Sequence, residues 1–352
     1  MYTVRMKKEG KSEVLYRQYR PQTWSEVKGQ PQVTDTLEKA IKNKKISHAY
    51  LFAGSRGTGK TSVARILARA LDVSDKDLYE IDAASNRGID DIRQLREGVQ
   101  TMPFESPYKF YIVDEAHMLT KDAWNAFLKT LEEPPAHAIF VMATTERDKV
   151  PETIQSRCEV YTFKQPTREM LADVVADVAK KEGFTLERSA AELVALLAEG
   201  SFRDALGILQ KVLSVSDNKK VEVAEVEVVS GAPRGELVRQ LLEGIAKRDP
   251  STALGAIRQA VSESMDARVL AKLLIHRLRI VLLMRFAPDL ADSLAHELSE
   301  ADNALATSLV KERGVNSDTL KILLEAYGTM AYAAVPHLPL ELAVIDITAQ
   351  KG

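Results

Sequence analysis

Cysteine is nearly absent. Cys158 is the only one in 352 residues, which excludes a disulfide framework and a multi-cysteine zinc site and fits a reducing cytoplasm. A membrane-crossing run is missing too. The most apolar later stretch, Val269 to Phe286, is broken by Lys272, His276, Arg277, Arg279 and Arg285 and cannot span a bilayer. Met1 to Glu13 is polar and basic, with none of the apolar core of a signal peptide. Nor does one sign of charge dominate: 48 Lys and Arg face 50 Asp and Glu, a net charge of −2. A basic nucleic-acid coat is thereby excluded, and any DNA contact must be local. There is no convincing repeat or low-complexity segment. The expectation is a cytoplasmic protein with no membrane partner and two or three domains, since 352 residues are many for one core.

What is present begins with HAYLFAGSRGTGKTSVARILARAL at residues 48 to 71. Ala49 to Ala53 reads as a buried parallel strand, and Val63, Ile66, Leu67, Ala70 and Leu71 form one helical face. Between them Gly54, Ser55, Arg56, Gly57, Thr58, Gly59, Lys60 and Thr61, followed by Ser62, match G-x-x-x-x-G-K-[ST]. The glycines permit positive φ and close backbone approach, so N–H groups can converge on an anion at the helix start. Lys60 is placed for β- and γ-phosphates and Thr61 for Mg²⁺. The alternative is a flexible loop carrying a surface lysine.

Ahead of this loop, Tyr16, Arg20, Pro21, Val27 and Gly29 lie where an extended segment could cover an adenine; plain packing is the competing reading. A second strand ends at Asp82, and Ser85 or Asn86 is expected to cap the following helix, with Asp90 and Asp91 in its first turn. Arg87 and Arg93, at that helix start, are either a solvated face or contacts to a DNA backbone. Tyr108 to Val113 is a third strand delivering Asp114 and Glu115 to the edge where open α/β sheets hold ligands. Asp114 suits a metal, directly or through water, and Glu115 a polarised water; the plainer alternative is an acidic cap for the next helix. His117 carries no independent weight. A fourth strand, Ile139 to Ala143, presents Thr144 and Thr145, either able to sense a γ-phosphate. Arg157, in Ser156-Arg157-Cys158 before a fifth strand, could neutralise a phosphoryl group on a neighbouring subunit.

From Gln165 helical periodicity dominates. Expected helices run from about 168 to 181, 189 to 198 and 202 to 214, and Val221 to Val229 is ambiguous between strand and helix. Ser201 caps the third helix and Arg203 sits in its first turn, where a cation opposes the helix dipole and so calls for an anionic partner; a bare surface arginine is the alternative. About five more helical patterns follow, separated by Pro250, Pro288, Pro336 and Pro339. The expected division is an extension at 1–14, a nucleotide-binding α/β domain at 15–164, a helical lid at 165–231 and an all-helical collar at 232–352.

HAYLFAGSRGTGKT, EIDAASNRGIDDIRQL, YIVDEAHML, FLKTLEEPP, ATTERDKVPETIQSRC and GSFRDAL, in this order, resemble the gamma/tau subunits of bacterial DNA polymerase III clamp loaders. The match runs from about Leu15 to Gly231. The resemblance implies a P-loop AAA+ ATPase with a parallel sheet, using ATP and Mg²⁺. It makes Gly54 to Thr61 the Walker A loop, Asp114 and Glu115 Walker B, Thr145 or Thr144 sensor 1, Arg157 a finger acting in trans and Arg203 sensor 2. The implied partners are delta- and delta-prime-type subunits and copies of the chain itself in a ring, the sliding clamp, and primer-template DNA. The family commonly carries a four-cysteine zinc module after the Walker A helix. Leu71 to Ile81 contains no cysteine, so zinc is not expected. An archaeal-like small clamp-loader subunit would also lack the module, but IDAASNRG and LEEPP favour the bacterial type, and with the last residue at Gly352 the resemblance is to the short, gamma-like form. Two other functions compete: a different AAA+ machine, such as a branch-migration helicase or protein remodeller, and a catalytically silent scaffold, which the intact Walker residues disfavour.

Overall fold

The computed structural model describes residues 14–86, 88–216, 218–289 and 298–349. Most of the expected 1–14 extension, and Arg87, lie outside them. The chain forms two compact units: residues up to Leu171 together with Ala198–Gly207, and Ala172–Leu197 together with residues from Ile208 on.

The first unit is built on five parallel strands, β1 (Ala49–Ala53), β2 (Leu78–Asp82), β3 (Lys109–Asp114), β4 (Ala138–Thr144) and β5 (Glu159–Thr162), in the order β2-β3-β4-β1-β5. β1 and β4 are buried along their whole length, and β3 along all but its last residue. That is the signature of strands covered on both faces, and it explains their unbroken apolar runs. Alternate residues of each strand face opposite sides. Tyr50, Phe52, Phe110 and Ile112 pack with Val33 and Leu37 of α2 (Pro31–Lys42) and with Val63 and Leu67 of α3 (Lys60–Ala70), the short α1 (Leu15–Gln18) preceding them in the chain. Leu51, Tyr111, Phe140 and Met142 pack on the other side with Ile92 and Leu95 of α4 (Ile89–Val99) and with Trp124 and Phe127 of α5 (Lys121–Glu132). Truncating a fully buried Phe such as Phe127 or Phe140 to Ala costs about 3–5 kcal/mol.

Register aligns the strand ends. Ala53 pairs with Thr144 and Asp82 with Asp114, so the loops after β1, β3 and β4 leave from one edge. After β4 come the short α6 (Glu152–Gln155) and β5, whose Glu159 lies beside Tyr50 near the start of β1.

Two local expectations are corrected. Ser85 and Asn86 do not cap α4. Asp82 captures both, its Oδ2 accepting from Ser85 Oγ at 3.1 Å and its carbonyl from Asn86 Nδ2 at 3.1 Å. Such local side-chain bonds compete with capping; instead Asp91 accepts from the Gly88 N–H at 3.0 Å. The ambiguous 221–229 stretch resolves into a bridge and a helix. β6 (Thr185–Leu186) pairs with β7 (Lys220–Val221), and then α10 (Val223–Ser230) forms. Its β-branched run is helical because Glu225 accepts from the Glu222 N–H at 3.3 Å and Gly231, at φ 67°, closes the far end.

Among the described residues the second unit is helical apart from the β6–β7 pair. α7 (Arg168–Lys181) and α9 (Phe202–Val215) contribute to both units, and α8 (Arg188–Leu197) and α10 lie wholly in the second. There follow α11 (Gly235–Lys247), α12 (Pro250–Ser262), α13 (Ala267–Phe286) and three helices at Glu300–Leu309, Ser317–Thr329 and Leu338–Ala349. Leu241, Ile257, Leu274, Leu323 and Val344 meet in one core. Of the apolar face expected on α13, Leu270, Leu273, Leu274, Leu278 and Val281 are buried, while Val269 and Leu282 are partly so. No helix among the described residues is long and apolar enough to cross a membrane.

Candidate nucleotide site

The glycine loop bridges β1 and α3. Gly57, at φ 72°, is required on two counts: an L-residue is strained there, and a Cβ would lie 2.0 Å from Ser201 Oγ. That close approach exists because Phe202 donates its N–H to the Gly57 carbonyl at 3.1 Å. Gly59, at φ 100°, meets no steric obstacle and is needed for conformation alone, at the N-cap of α3. Thr58 is buried, and its hydroxyl closes the loop by donating to Ser55 O at 2.9 Å. Ser55 Oγ accepts from Gln165 at 3.0 Å; Arg56 is exposed, and Ser62 is half-buried on α3.

Lys60 is 6% exposed, and its ammonium donates to Gly54 O at 2.7 Å and Ser55 O at 2.9 Å. Burial pushes its pKa below the ordinary lysine value, while Glu115 and Asp114 oppose that shift. Thr61 Oγ1 donates to Asp114 Oδ2 at 3.0 Å. A hydroxyl and a carboxylate so paired are the hard oxygen donors Mg²⁺ takes, a cation that keeps several waters and needs few protein ligands. The residues present fit it.

Glu115 follows in the left-handed region, φ 48°, with its N–H on Asp114 Oδ1 at 3.0 Å. Thr145 Oγ1 donates to Glu115 Oε2 at 3.1 Å. Thr144 differs: fully buried, its Oγ1 accepts from the Glu146 N–H at 3.0 Å and lies 3.1 Å from His117 Nδ1. The two threonines thus have separate environments, and Thr145 is the one in contact with Glu115.

Arg203 follows Phe202, whose N–H bonds the Gly57 carbonyl. Its guanidinium lies 4.9 Å from the Tyr16 ring centroid, and its hydrogen bond holds the Tyr16 phenol below its usual pKa. Arg20 is half-buried, which lowers its pKa, while Pro21 and Val27 are half-buried beside it in the chain. Val27 packs with the α2–α3 core, and Gly29 sits at φ 75°. Gln30, which sequence patterning does not single out, is 1% exposed and reads Lys164 like a strand neighbour: Nε2 to Lys164 O at 2.7 Å, Lys164 N to Oε1 at 3.0 Å. It fixes the start of α2 to the exit of β5. Only its position just before Pro31 at the helix start hinted at this.

Arg157 is not brought to the cradle. It precedes the start of β5, at the sheet edge opposite the strand ends, and binds Glu132 at 2.8 Å and Thr153 O at 2.7 Å. Arg93 is exposed on α4 and paired with Asp90 at 3.0 Å; Arg87 lies outside the described residues. Burial pushes the Cys158 thiol up to about 12, so it is not a reactive thiolate.

A model of the family described as DNA polymerase III, delta subunit, matches residues 29–80 and 72–167. The DNA polymerase III subunit tau of Bacillus subtilis is 36% identical over 95% of this chain and 63% of its own length. The chain is a homologue of DNA polymerase III gamma/tau subunits. The gamma/tau subunit of Mycoplasma pneumoniae is 42% identical over 61% of the chain and 34% of its own length, and subunit tau of Escherichia coli 34% over 78% and 46%. The chain therefore spans less than two thirds of the gamma/tau relatives it matches. In three dimensions it is similar to the Holliday junction branch migration motor RuvB of Thermotoga maritima, with a TM-score of 0.52, 23% identity, and coverage of 64% of this chain and 79% of that one. At that identity the likeness shows the fold alone.

Proposed function

We propose that this gamma/tau homologue is an ATP-driven motor subunit of a DNA sliding-clamp loader, hydrolysing ATP to open the clamp and place it on primer-template DNA during replication in the cytoplasm. The observation that carries the proposal is the pairing of Thr61 with Asp114 and of Thr145 with Glu115 beside the buried Lys60, in a chain related to gamma/tau subunits.

ATP with Mg²⁺ supplies the phosphoryl group to be cleaved and the charge that activates it. The chain's own residues do the rest. Lys60, shared between two neutral carbonyls, gains on meeting an anion, because a full negative charge adds Coulombic attraction that a carbonyl dipole cannot match. Thr61 and Asp114 are the residues that would hold the cation. Glu115 orients and polarises the attacking water, and Thr145 is the sensor hydroxyl. Arg203, delivered by the Phe202–Gly57 bond, adds positive charge over the loop. Arg157, at the opposite sheet edge, serves a neighbouring subunit's site, and Tyr16, Arg20, Pro21, Val27 and Gly29 line the base pocket. In this account 165–231 is a lid and 232–352 a collar that gathers delta- and delta-prime-type subunits and copies of the chain into a ring. Arg87 and Arg93 are the candidate DNA contacts, and no zinc is needed.

The test is clamp loading onto primed circular DNA by an assembly containing this chain. Loading by the wild type that is lost with Lys60→Ala supports the proposal; equal loading by both sinks it.

A further inference from the structure

His117 has no part in the chemistry above, yet it is built into the same cluster. It lies in the single turn Ala116–Met118, where Ala116 is fully buried and Met118 N bonds Glu115 O at 2.9 Å. That turn carries its ring inward, to 7% side-chain exposure. A ring so buried needs partners for both nitrogens. Nδ1 lies 3.1 Å from Thr144 Oγ1, and Nε2 3.3 Å from Glu146 Oε1.

The network assigns the tautomer. Thr144 Oγ1 accepts from the Glu146 N–H and keeps a second lone pair and its proton for Nδ1, so the direction of that bond is set from the other ring nitrogen. The Glu146 carboxylate only accepts, so Nε2 carries the ring proton and donates. In the neutral ring Nδ1 then accepts the Thr144 proton and has none of its own to offer Glu115 Oε2, 3.5 Å away, so that contact is a close approach and not a bond. The ring thereby leaves that oxygen to its other neighbour, the Thr145 hydroxyl, 3.1 Å away.

We propose that His117 is a positioning residue for ATP hydrolysis, its ring coupling the carboxylate of Glu115 to the end of β4 through Thr144 and Glu146. The proposal rests on the role given above to Glu115. Successive residues at a strand end point to opposite sides; here Thr144 anchors the ring and Thr145 anchors the carboxylate. A shift of the β4 end on nucleotide binding therefore moves both restraints on Glu115 together. Without the ring, a backbone already in the left-handed region at φ 48° keeps one side-chain restraint, the Thr145 bond, and the carboxylate swings.

The experiment compares single-turnover ATP hydrolysis with the affinity for a non-hydrolysable ATP analogue, in full-length chain assembled with its partner subunits. Misplacing a reacting group by about 1 Å costs about 100-fold, so His117→Ala is expected to slow hydrolysis about 10- to 100-fold while changing affinity less than about threefold. His117→Gln, whose carbonyl can accept from Thr144 and whose amide can donate to Glu146, recovers part of the rate. Glu146→Ala, at an exposed position that does not threaten folding, slows hydrolysis with affinity kept, and adds little to His117→Ala. A wild-type rate in His117→Ala, losses of rate and affinity in equal measure, or His117→Gln no better than alanine overturns the proposal. Should His117→Ala fail to fold, an unchanged rate in Glu146→Ala overturns it as well. Glu115→Gln is run alongside. If it turns over normally, the role of Glu115 falls and this proposal with it; if it is slow while His117→Ala is normal, only this proposal falls.

Discussion

Gly57→Ala attacks the loop at the point where two segments distant in sequence touch. The added Cβ would stand 2.0 Å from Ser201 Oγ and 2.9 Å from Ser201 Cβ, on a backbone at φ 72°. An alanine in the left-handed region costs about 1–2 kcal/mol. Relieving the overlap means withdrawing Ser201 and Phe202 and losing the Phe202–Gly57 bond, about 0.5–1.5 kcal/mol more. The sum, about 1.5–3.5 kcal/mol, corresponds to about 10- to 300-fold in affinity for a nucleotide that needs the loop and Arg203 in register. Titration with a fluorescent ATP analogue reads this directly. Ser201→Gly removes both clashing atoms and leaves Ser201 Cα at 3.2 Å, so the double variant should regain the steric share of the loss and none of the φ share. Wild-type affinity in Gly57→Ala, or no recovery in the double variant, refutes the reasoning.

Three further outcomes are expected. Lys60→Ala removes a buried ammonium without touching the apolar face of α3, so nucleotide binding should collapse while the thermal melt stays within a few degrees of wild type. Asp77 is fully buried and accepts from the N–H groups of Phe104, Glu105 and Ser106 at 2.6, 3.0 and 2.9 Å, which lowers its pKa to about 2 despite the opposing effect of burial. A carboxylate depressed on folding stabilises above its unfolded pKa and loses that contribution as pH falls towards the folded value. Chemical denaturation between about pH 4 and pH 2 should therefore show a loss in the wild type that Asp77→Asn lacks. Arg157→Ala chains should bind ATP normally yet fail to support a neighbour's hydrolysis. Mixing them with Lys60→Ala chains should restore turnover, and recovery of nothing in a confirmed assembly excludes action in trans.

The three central strands were legible because they are covered on both faces: AYLFA, KFYIV and AIFVMA are nearly unbroken apolar runs. The phosphate loop was legible because backbone geometry there dictates residue type. Helix starts were less so. Ser85 and Asn86 have the chemistry of caps, and nothing local says that Asp82 takes them first. In the same way the β-branched Val221–Val229 run carries equal strand and helix signals until Glu222, Glu225 and Gly231 settle its ends. Within the site, Thr144 and Thr145 are indistinguishable by type; the direction each side chain takes at the strand end separates them. Gln30, beyond its place before Pro31, and His117 could not be weighed from sequence, since both bond partners far along the chain, at Lys164 and Thr144.

The central claim is that nucleotide chemistry at the Lys60, Asp114 and Glu115 cluster drives clamp loading. The most direct measurement is the steady-state ATP hydrolysis rate of the assembled protein, alone and with a sliding clamp plus primer-template DNA, for wild type and Glu115→Gln. The account predicts a wild-type rate that rises only when clamp and primed DNA are both present, and a Glu115→Gln protein that binds ATP but stays slow throughout. A rate indifferent to clamp and DNA, or a Glu115→Gln protein stimulated like the wild type, would contradict it.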